Sequence, residues 1–75
     1  MQTHVVESTT MSTVDYDANR QQLCVHFRDL SLYTYFDVPP EILEGLLRAP
    51  SAGKYFNARI RGQFAHERGT PDQST

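Results

Sequence analysis

Residues 51–61 read Ser-Ala-Gly-Lys-Tyr-Phe-Asn-Ala-Arg-Ile-Arg, a pattern typical of an amphipathic helix that packs on another layer. Its apolar residues recur every four positions, at Ala52, Phe56 and Ile60. Ser51 is of the residue type that caps a helix N-terminus. Lys54 and Arg61 stand two turns apart, so an α-helix would place both on the side opposite the apolar stripe.

A second helix is predicted just upstream, because the residues around Pro39 and Pro40 end a region of strand-like alternation. A proline suits the first helical turn, where its missing N–H has no helical partner. Glu41 then favours the positive end of the helix dipole. The stripe that would pack on a sheet consists of Ile42, Leu43, Leu46 and Leu47, and Pro50 ends the helix.

Three strands are predicted before these helices, over residues 11–16, 23–27 and 32–36. Residues 23–27 alternate between apolar and other side chains, as a half-buried strand does. The segment 32–36 is apolar at nearly every position, so alternation does not assign its faces. Tyr33 and Tyr35 share one of these faces, which leaves open whether they point to solvent or to the core.

The predicted fold is therefore α+β, with the element order β-β-β-α-α. A three-stranded antiparallel meander is followed by two short helices packed on one face. We expect a flexible N-terminus over residues 1–7, a single domain over residues 8–64 and a disordered tail over residues 65–75.

Length and composition limit the possible classes of protein. The chain has 75 residues, of which 39% are hydrophobic and 21% are charged, so it forms one small domain. Cys24 is the one cysteine, which excludes an internal disulfide and fits a reducing compartment. We see neither a signal peptide nor a run long enough to span a membrane, and therefore expect a cytoplasmic protein without membrane contact.

Charge is distributed unevenly along the chain. Residues 1–47 hold two arginines against seven carboxylates, whereas residues 48–68 hold five basic residues against Glu67 alone. A basic segment on an acidic body favours directed binding of an anion. Alternatively, Arg59 and Arg61 only complement the negative end of a helix dipole.

The start of the helix at residue 51 is a candidate anion site. The backbone N–H groups near Ser51 and Gly53, together with Lys54, could hold a phosphate. A nucleotide-binding P-loop is excluded, because Arg48 and Tyr55 stand where that motif requires Gly and Ser or Thr. The alternative is that Lys54 is an ordinary solvated lysine.

Catalytic chemistry and metal binding find little support in the sequence. Cys24 and His26 share a strand face but lie about 7 Å apart at Cβ, too far for direct proton transfer. One cysteine and three scattered histidines do not provide a zinc site. We therefore expect no enzyme, no cofactor and no metal.

Several spaced motifs run through most of the chain: Ser8, Tyr16-Asp17, Leu23-x-Val25-x-Phe27, Tyr33-x-Tyr35-x-x-Val38-Pro39, Leu46-Leu47-x-Ala49 and Ser51-x-Gly53-Lys54-Tyr55-Phe56-Asn57-x-x-Ile60-Arg61. Together they resemble the KTSC domain, a short bacterial domain that occurs alone and at the C-terminus of some lysyl-tRNA synthetases. The resemblance implies a stand-alone form of this domain and a role connected with RNA. Asp15 and Leu30 depart from the family pattern, since glycine is usual at both positions, and Leu30 leaves the type of its turn open.

Two hypotheses for function remain open. One is an RNA-binding module, with tRNA as a possible ligand, whose candidate residues are Ser51, Gly53, Lys54, Asn57, Arg61, Tyr33 and Tyr35. In it the two tyrosines would stack on unpaired bases. The other is a module that binds another protein or itself. Tyrosines beside the basic residues on one surface would favour RNA, and buried tyrosines beneath a bare apolar sheet would favour a protein.

Overall fold

Five strands and two helical segments make up the chain in the computed structural model, which describes residues 2–6 and 8–69. The strands are β1 Gln2–Val5, β2 Met11–Asp17, β3 Gln22–Phe27, β4 Leu32–Tyr35 and β5 His66–Arg68. The helices are α1 Pro40–Arg48 and α2 Ala52–Tyr55, and α2 runs directly into a π-helical segment, Phe56–Ile60. Among the described residues, neither helical segment has the length and apolarity needed to cross a membrane.

The sheet is antiparallel throughout, with the spatial order β1-β2-β3-β4-β5. The α+β class and the two helices are confirmed, and β2, β3 and β4 are the three predicted strands. The prediction of only three strands is incomplete, because residues 2–5 and 66–68 add the two edge strands. Both lie in segments for which the sequence predicted no regular structure, and residues 70–75 of the predicted tail lie outside the described part.

The register of β3 and β4 assigns the faces that alternation left open. Leu23 pairs with Tyr35, and Val25 pairs with Tyr33. Directly paired residues share a face, and Leu23 and Val25 are fully buried beneath the helices. Both tyrosines therefore lie on the face that the helices cover, where Tyr35 is buried and Tyr33 is half-buried.

The core lies between this covered face and the two helical segments. Its fully buried members include Met11, Val14, Leu23, Val25, Val38, Leu46 and Ile60. Tyr16 adds a buried hydrogen bond to the core, because its hydroxyl donates to the carbonyl of Val38 at 2.6 Å. Burial raises the pKa of Tyr16, so this hydroxyl keeps its proton and remains a donor.

The second helical segment starts as predicted and continues differently. The Lys54 N–H donates to Ser51 Oγ at 3.3 Å, which confirms Ser51 as the N-cap. Beyond Tyr55, hydrogen bonds span five residues, as between the Arg61 N–H and the Phe56 carbonyl at 2.8 Å. One extra residue in a turn rotates the later residues of the segment by about 100°. Lys54 and Arg61 therefore diverge, although a regular α-helix would have placed them on one side.

The turn between β3 and β4 places Leu30 in the left-handed region, with φ 73°. A three-residue hairpin loop commonly ends in this conformation, and glycine adopts it best. Asp29 holds the turn, because its Oδ1 accepts from the Ser31 N–H at 3.0 Å and from the Ser31 hydroxyl at 2.6 Å. These hydrogen bonds lower the pKa of Asp29.

Candidate functional site

A pocket of about 740 Å³ opens at the edge of the core, and we call it the aromatic pocket. It lies between the π segment, β5, the β3–β4 turn and the loop before β2. Four rings line it, from Phe27, Tyr33, Tyr35 and Phe56. The other lining residues are polar or charged, namely Thr9, Thr10, Arg28, Asp29, Asn57, Arg61 and His66.

The four rings form a rigid floor, because they pack edge to face. Phe27 contacts Tyr33 and Phe56, with ring centroids 5.8 and 5.6 Å apart and interplanar angles of 85° and 76°. Tyr35 meets Phe56 at 5.5 Å and 85°. Edge-to-face pairs stabilise the packing beyond simple burial. The floor is therefore built from rings that belong to the core or pack against it.

His66 forms a side wall, and sequence reasoning missed it. In the register of β4 and β5, His66 stands directly opposite Tyr35. Its imidazole stacks on the Tyr35 ring, with centroids 5.2 Å apart and planes 30° apart, and lies 5.9 Å from Tyr33. The sequence gives little indication of this strand, because His66 lies in a polar stretch without alternation. That stretch was predicted to be part of a disordered tail.

The rim of the aromatic pocket carries two arginines against one carboxylate among the described residues. Arg28, Arg61 and His66 carry the basic groups of the lining, and Asp29 carries its one carboxylate among the described residues. Arg28 is fixed in place, since its Nε donates to the Ser8 carbonyl at 2.7 Å. This surface can attract an anion although the whole chain has a net charge of −2.

The electrostatic environment keeps the Tyr35 hydroxyl protonated. Burial raises the pKa of Tyr35, the nearby charge of Arg61 opposes this increase, and Tyr33 adds to it. A protonated phenol both donates and accepts hydrogen bonds. The pocket therefore combines the neutral hydroxyl of Tyr35 on its floor with the guanidinium groups at its rim.

The structure separates the predicted site residues into two groups. Tyr33, Tyr35, Asn57 and Arg61 line the aromatic pocket together. Ser51 and Gly53 line a second, more open pocket of about 370 Å³, which Thr9 joins to the first. In the described part of the chain, Lys54 is exposed and lines neither of these pockets.

The second pocket is formed by the cap of α2 and the loop before β2. Ser51 Oγ already accepts the Lys54 N–H, so it is engaged in capping the helix. A Cβ placed on Gly53 would meet Ser8 Oγ at 3.7 Å, an ordinary contact. Gly53 is therefore not required there by close packing.

Cys24 and His26 lie on the opposite face of the sheet and contact different residues. Cys24 Sγ is 3.2 Å from Thr34 Oγ1, and His26 Nε2 is 2.9 Å from Asp15 Oδ2. Burial alone would raise the pKa of Asp15, but hydrogen bonds from Thr3 and His26 outweigh burial and lower it. Within residues 2–6 and 8–69, no three His, Cys, Asp or Glu side chains are grouped to hold a metal ion.

Comparisons with known proteins agree with the motifs. The family model described as the KTSC domain matches residues 7–64. The chain is 39% identical over 61 residues to a lysine–tRNA ligase of Nostoc punctiforme, covering 81% of this chain but only 11% of the ligase. It is 38% identical over 58 residues to an uncharacterised protein of Stutzerimonas stutzeri, covering 77% of this chain and 82% of that protein.

A solved structure supports the same assignment. The crystal structure of a KTSC domain protein from Yersinia pestis superposes with a TM-score of 0.86 at 28% sequence identity. The match covers 92% of this chain and 97% of that one, so the two folds agree over nearly their whole lengths. The chain belongs to the KTSC domain family.

Proposed function

We propose that this protein is a non-catalytic RNA-binding module and that RNA contacts the aromatic pocket and its rim. The observation that supports this most is the junction of an aromatic floor with Arg28, Arg61 and His66 at one opening. Single-stranded RNA offers the matching chemistry, because its bases stack on rings and its phosphates pair with guanidinium groups.

The relatives favour the same ligand class. Similar segments of about sixty residues occur in lysine–tRNA ligases, which as whole proteins act with tRNA. A module of this size could add weak contacts to an RNA that another domain recognises. By itself, the domain would give weak binding that is sensitive to salt, because few phosphates are neutralised.

The other candidate is association with a protein or with a second copy. The observation behind this candidate is the edge strand β1, in which Val5 has 78% of its surface exposed. Edge strands offer unpaired backbone groups to a partner strand. RNA is the better candidate, because the two tyrosines lie beside basic residues and not beneath a bare apolar surface.

An NMR titration tests the proposal directly. A single-stranded RNA of about ten nucleotides, within the site sizes of small modules, is added to the labelled protein at low salt. We expect the shifted amides to cluster around Tyr33, Asn57, Arg61 and His66. For one to three phosphate contacts, log K should fall against log salt with a slope between about −0.7 and −2.

Two matched variants locate the binding surface. Arg61→Gln should weaken binding about tenfold, which corresponds to about 1.4 kcal/mol. Arg59→Gln removes an exposed arginine of the adjoining π segment that does not line the aromatic pocket, and it should change Kd less than about twofold. Equal losses in both variants would show unspecific attraction by charge. The absence of shifted amides near residues 51–61 would reject RNA binding by this surface.

The same experiment tests the predicted anion site at the start of α2. Lys54→Gln removes the exposed cation of that site, which lies outside the aromatic pocket. If the phosphates pass along the adjoining second pocket, this variant should weaken binding about threefold, as loss of one exposed charge does. An unchanged Kd would restrict the RNA contact to the aromatic pocket.

A further inference from the structure

We infer that the aromatic pocket takes one unpaired ribonucleotide of single-stranded RNA, with its base inside the pocket and its phosphate on Arg61. This inference rests on the proposed RNA-binding function and goes further by naming the ligand of one site. It predicts that a free mononucleotide binds there without the rest of the strand.

The size of the pocket supports a ligand of this kind. Its volume of about 740 Å³ lies within the range of sites that enclose small molecules. A base stacked in a duplex presents only its edge, so it cannot place a ring against the floor. Only an unstacked base can enter, which restricts the ligand to single strands, bulges and ends.

The exposure of the rings shows where a base can lie. Tyr35 and Phe56 are 4% and 5% exposed, so they close the back of the pocket. Tyr33 is half-buried and His66 is exposed, and both line the pocket. These two rings retain surface for a base, and their mutual contact at 5.9 Å holds them in a fixed arrangement.

The polar rim orients such a ligand. Asn57 and Arg61 are both exposed and line the pocket, Asn57 from the π segment and Arg61 from the residue that directly follows it. An amide pairs with the donor and acceptor groups of a base edge, and a guanidinium binds a phosphate with two parallel hydrogen bonds. On the β3–β4 turn side of the pocket the carboxylate of Asp29 offsets the charge of Arg28, which leaves Arg61 as the phosphate side.

The π segment produces this juxtaposition. Because its wider turn rotates the chain after Phe56, Arg61 reaches the aromatic pocket and parts from Lys54. Such single π turns occur often at functional sites. The buried side chains of Phe56 and Ile60 anchor the segment that carries Asn57 and that leads directly into Arg61.

The test uses the four ribonucleoside 5′-monophosphates, ribose 5-phosphate and the single-stranded RNA, each titrated into the whole protein by NMR. We expect the mononucleotides to shift the amides of Tyr33, Asn57, Arg61 and His66 with millimolar Kd. Ribose 5-phosphate should shift Arg61 and leave Tyr33 unmoved, because it has no base. A duplex of the same length should leave Tyr33 unmoved, because its bases stay stacked and cannot enter the pocket.

Exposed residues supply variants that should fold normally. Asn57→Ala should raise the Kd of the best mononucleotide about threefold, as loss of one hydrogen-bonding group does. It should also bring the Kd values of the four mononucleotides closer together. Arg61→Gln should weaken mononucleotides and ribose 5-phosphate alike. Arg59→Gln is the matched control and should change the Kd of neither the mononucleotides nor ribose 5-phosphate.

The outcomes separate this inference from the proposed function. If the RNA strand binds but no mononucleotide moves the pocket amides, the pocket inference is overturned and RNA binding stands. If mononucleotides bind in the pocket and the strand does not, the pocket is a site for free nucleotides, and the RNA-binding function and the inference drawn from it both fall. If neither binds, both fall.

Discussion

Two neighbouring rows of side chains cross the same sheet on opposite faces, and different forces hold them. The row on the covered face runs through Gln2, Tyr16, Leu23, Tyr35 and His66. The row on the open face runs through Thr3, Asp15, Cys24, Thr34 and Glu67. Both rows are well buried at their centres, where the covered row holds Tyr16, Leu23 and Tyr35 and the open row holds Cys24 and Thr34.

In the covered row, apolar burial against the helices supplies the stabilisation. Leu23 is fully buried, and Tyr16 and Tyr35 are 3% and 4% exposed. The ends of the row are polar, and one of them, His66, forms the wall of the aromatic pocket. The same row thus stabilises the fold at its centre and contributes to the candidate site at its edge.

In the open row, side-chain hydrogen bonds accompany burial. The Thr3 hydroxyl donates to Asp15 Oδ1 at 2.6 Å, and the fully buried Thr34 donates to the Gly69 carbonyl at 2.7 Å. Because Thr34 uses its proton there, the Cys24 thiol donates in the contact between these two residues. Buried polar groups require such partners, so this face depends on directed bonds and on charge.

The largest effect is expected at the centre of the covered row. Leu23→Ala removes a fully buried side chain and should lower the free energy of unfolding by about 2–5 kcal/mol. A domain of 75 residues has only about 4–11 kcal/mol in total, so this variant lies near the limit of folding. Urea denaturation followed by circular dichroism measures the loss.

The matched control makes the same substitution on an exposed leucine. Leu47 lies on α1 with 40% of its surface exposed, so Leu47→Ala should cost less than about 1 kcal/mol. Similar losses in both variants would contradict the assignment of the covered face as the main apolar interface.

A smaller effect with a different signature is expected in the open row. Asp15→Asn weakens the bonds with Thr3 and His26 and should cost about 1–2 kcal/mol at neutral pH. The folded pKa of Asp15 is lowered, so its contribution is complete above the unfolded value of about 3.9 and is lost as pH falls through the folded pKa. The difference between wild type and variant should therefore shrink in acid.

Denaturation at pH 7 and at pH 3 measures this change. Glu44→Gln, on the exposed side of α1, should alter the free energy of unfolding by less than about 0.5 kcal/mol at neutral pH. If Asp15→Asn costs as much at pH 3 as at pH 7, the ionised carboxylate is not what stabilises this row.

The same contrast explains how far the sequence could predict the structure. Residues of β2, β3 and the helices are buried periodically, so pattern and capping located them. All residues of β5 and most of β1 are exposed, so no alternation marks these strands. Segment 32–36 was ambiguous because Tyr35 and Thr34 are buried on opposite faces of the sheet.

The candidate site was half predictable for the same physical reason. Asn57 and Arg61 belong to a helix that the sequence located, whereas His66 and Arg28 belong to a strand and a turn whose positions depend on pairing with other strands. The π turn could not be predicted from the sequence pattern. It changes the carbonyl to which each backbone N–H donates, but Phe56 and Ile60 remain buried at the four-residue spacing of an α-helix.

The smallest effect, opposite in sign, is expected at a position that belongs to neither row. Leu30 is 94% exposed and adopts φ 73°, so its side chain adds strain to the turn and almost no burial. Leu30→Gly removes the cost of about 1–2 kcal/mol that a side chain incurs in the left-handed region. Glycine is also more flexible in the unfolded state, which lowers the free energy of unfolding by about 0.5–1 kcal/mol. The net gain in the free energy of unfolding should be about 0.5–1 kcal/mol, measured by urea denaturation.

Leu30→Ala separates backbone strain from the loss of an exposed leucine. Alanine keeps the Cβ that opposes a positive φ, so this variant should stay within about 0.5 kcal/mol of wild type. Equal stabilisation by alanine and glycine would mean that exposure of the leucine, and not its φ angle, destabilises the turn. Stabilisation by glycine alone would show that the positive φ of residue 30 strains a turn in which Asp29 accepts two hydrogen bonds from Ser31.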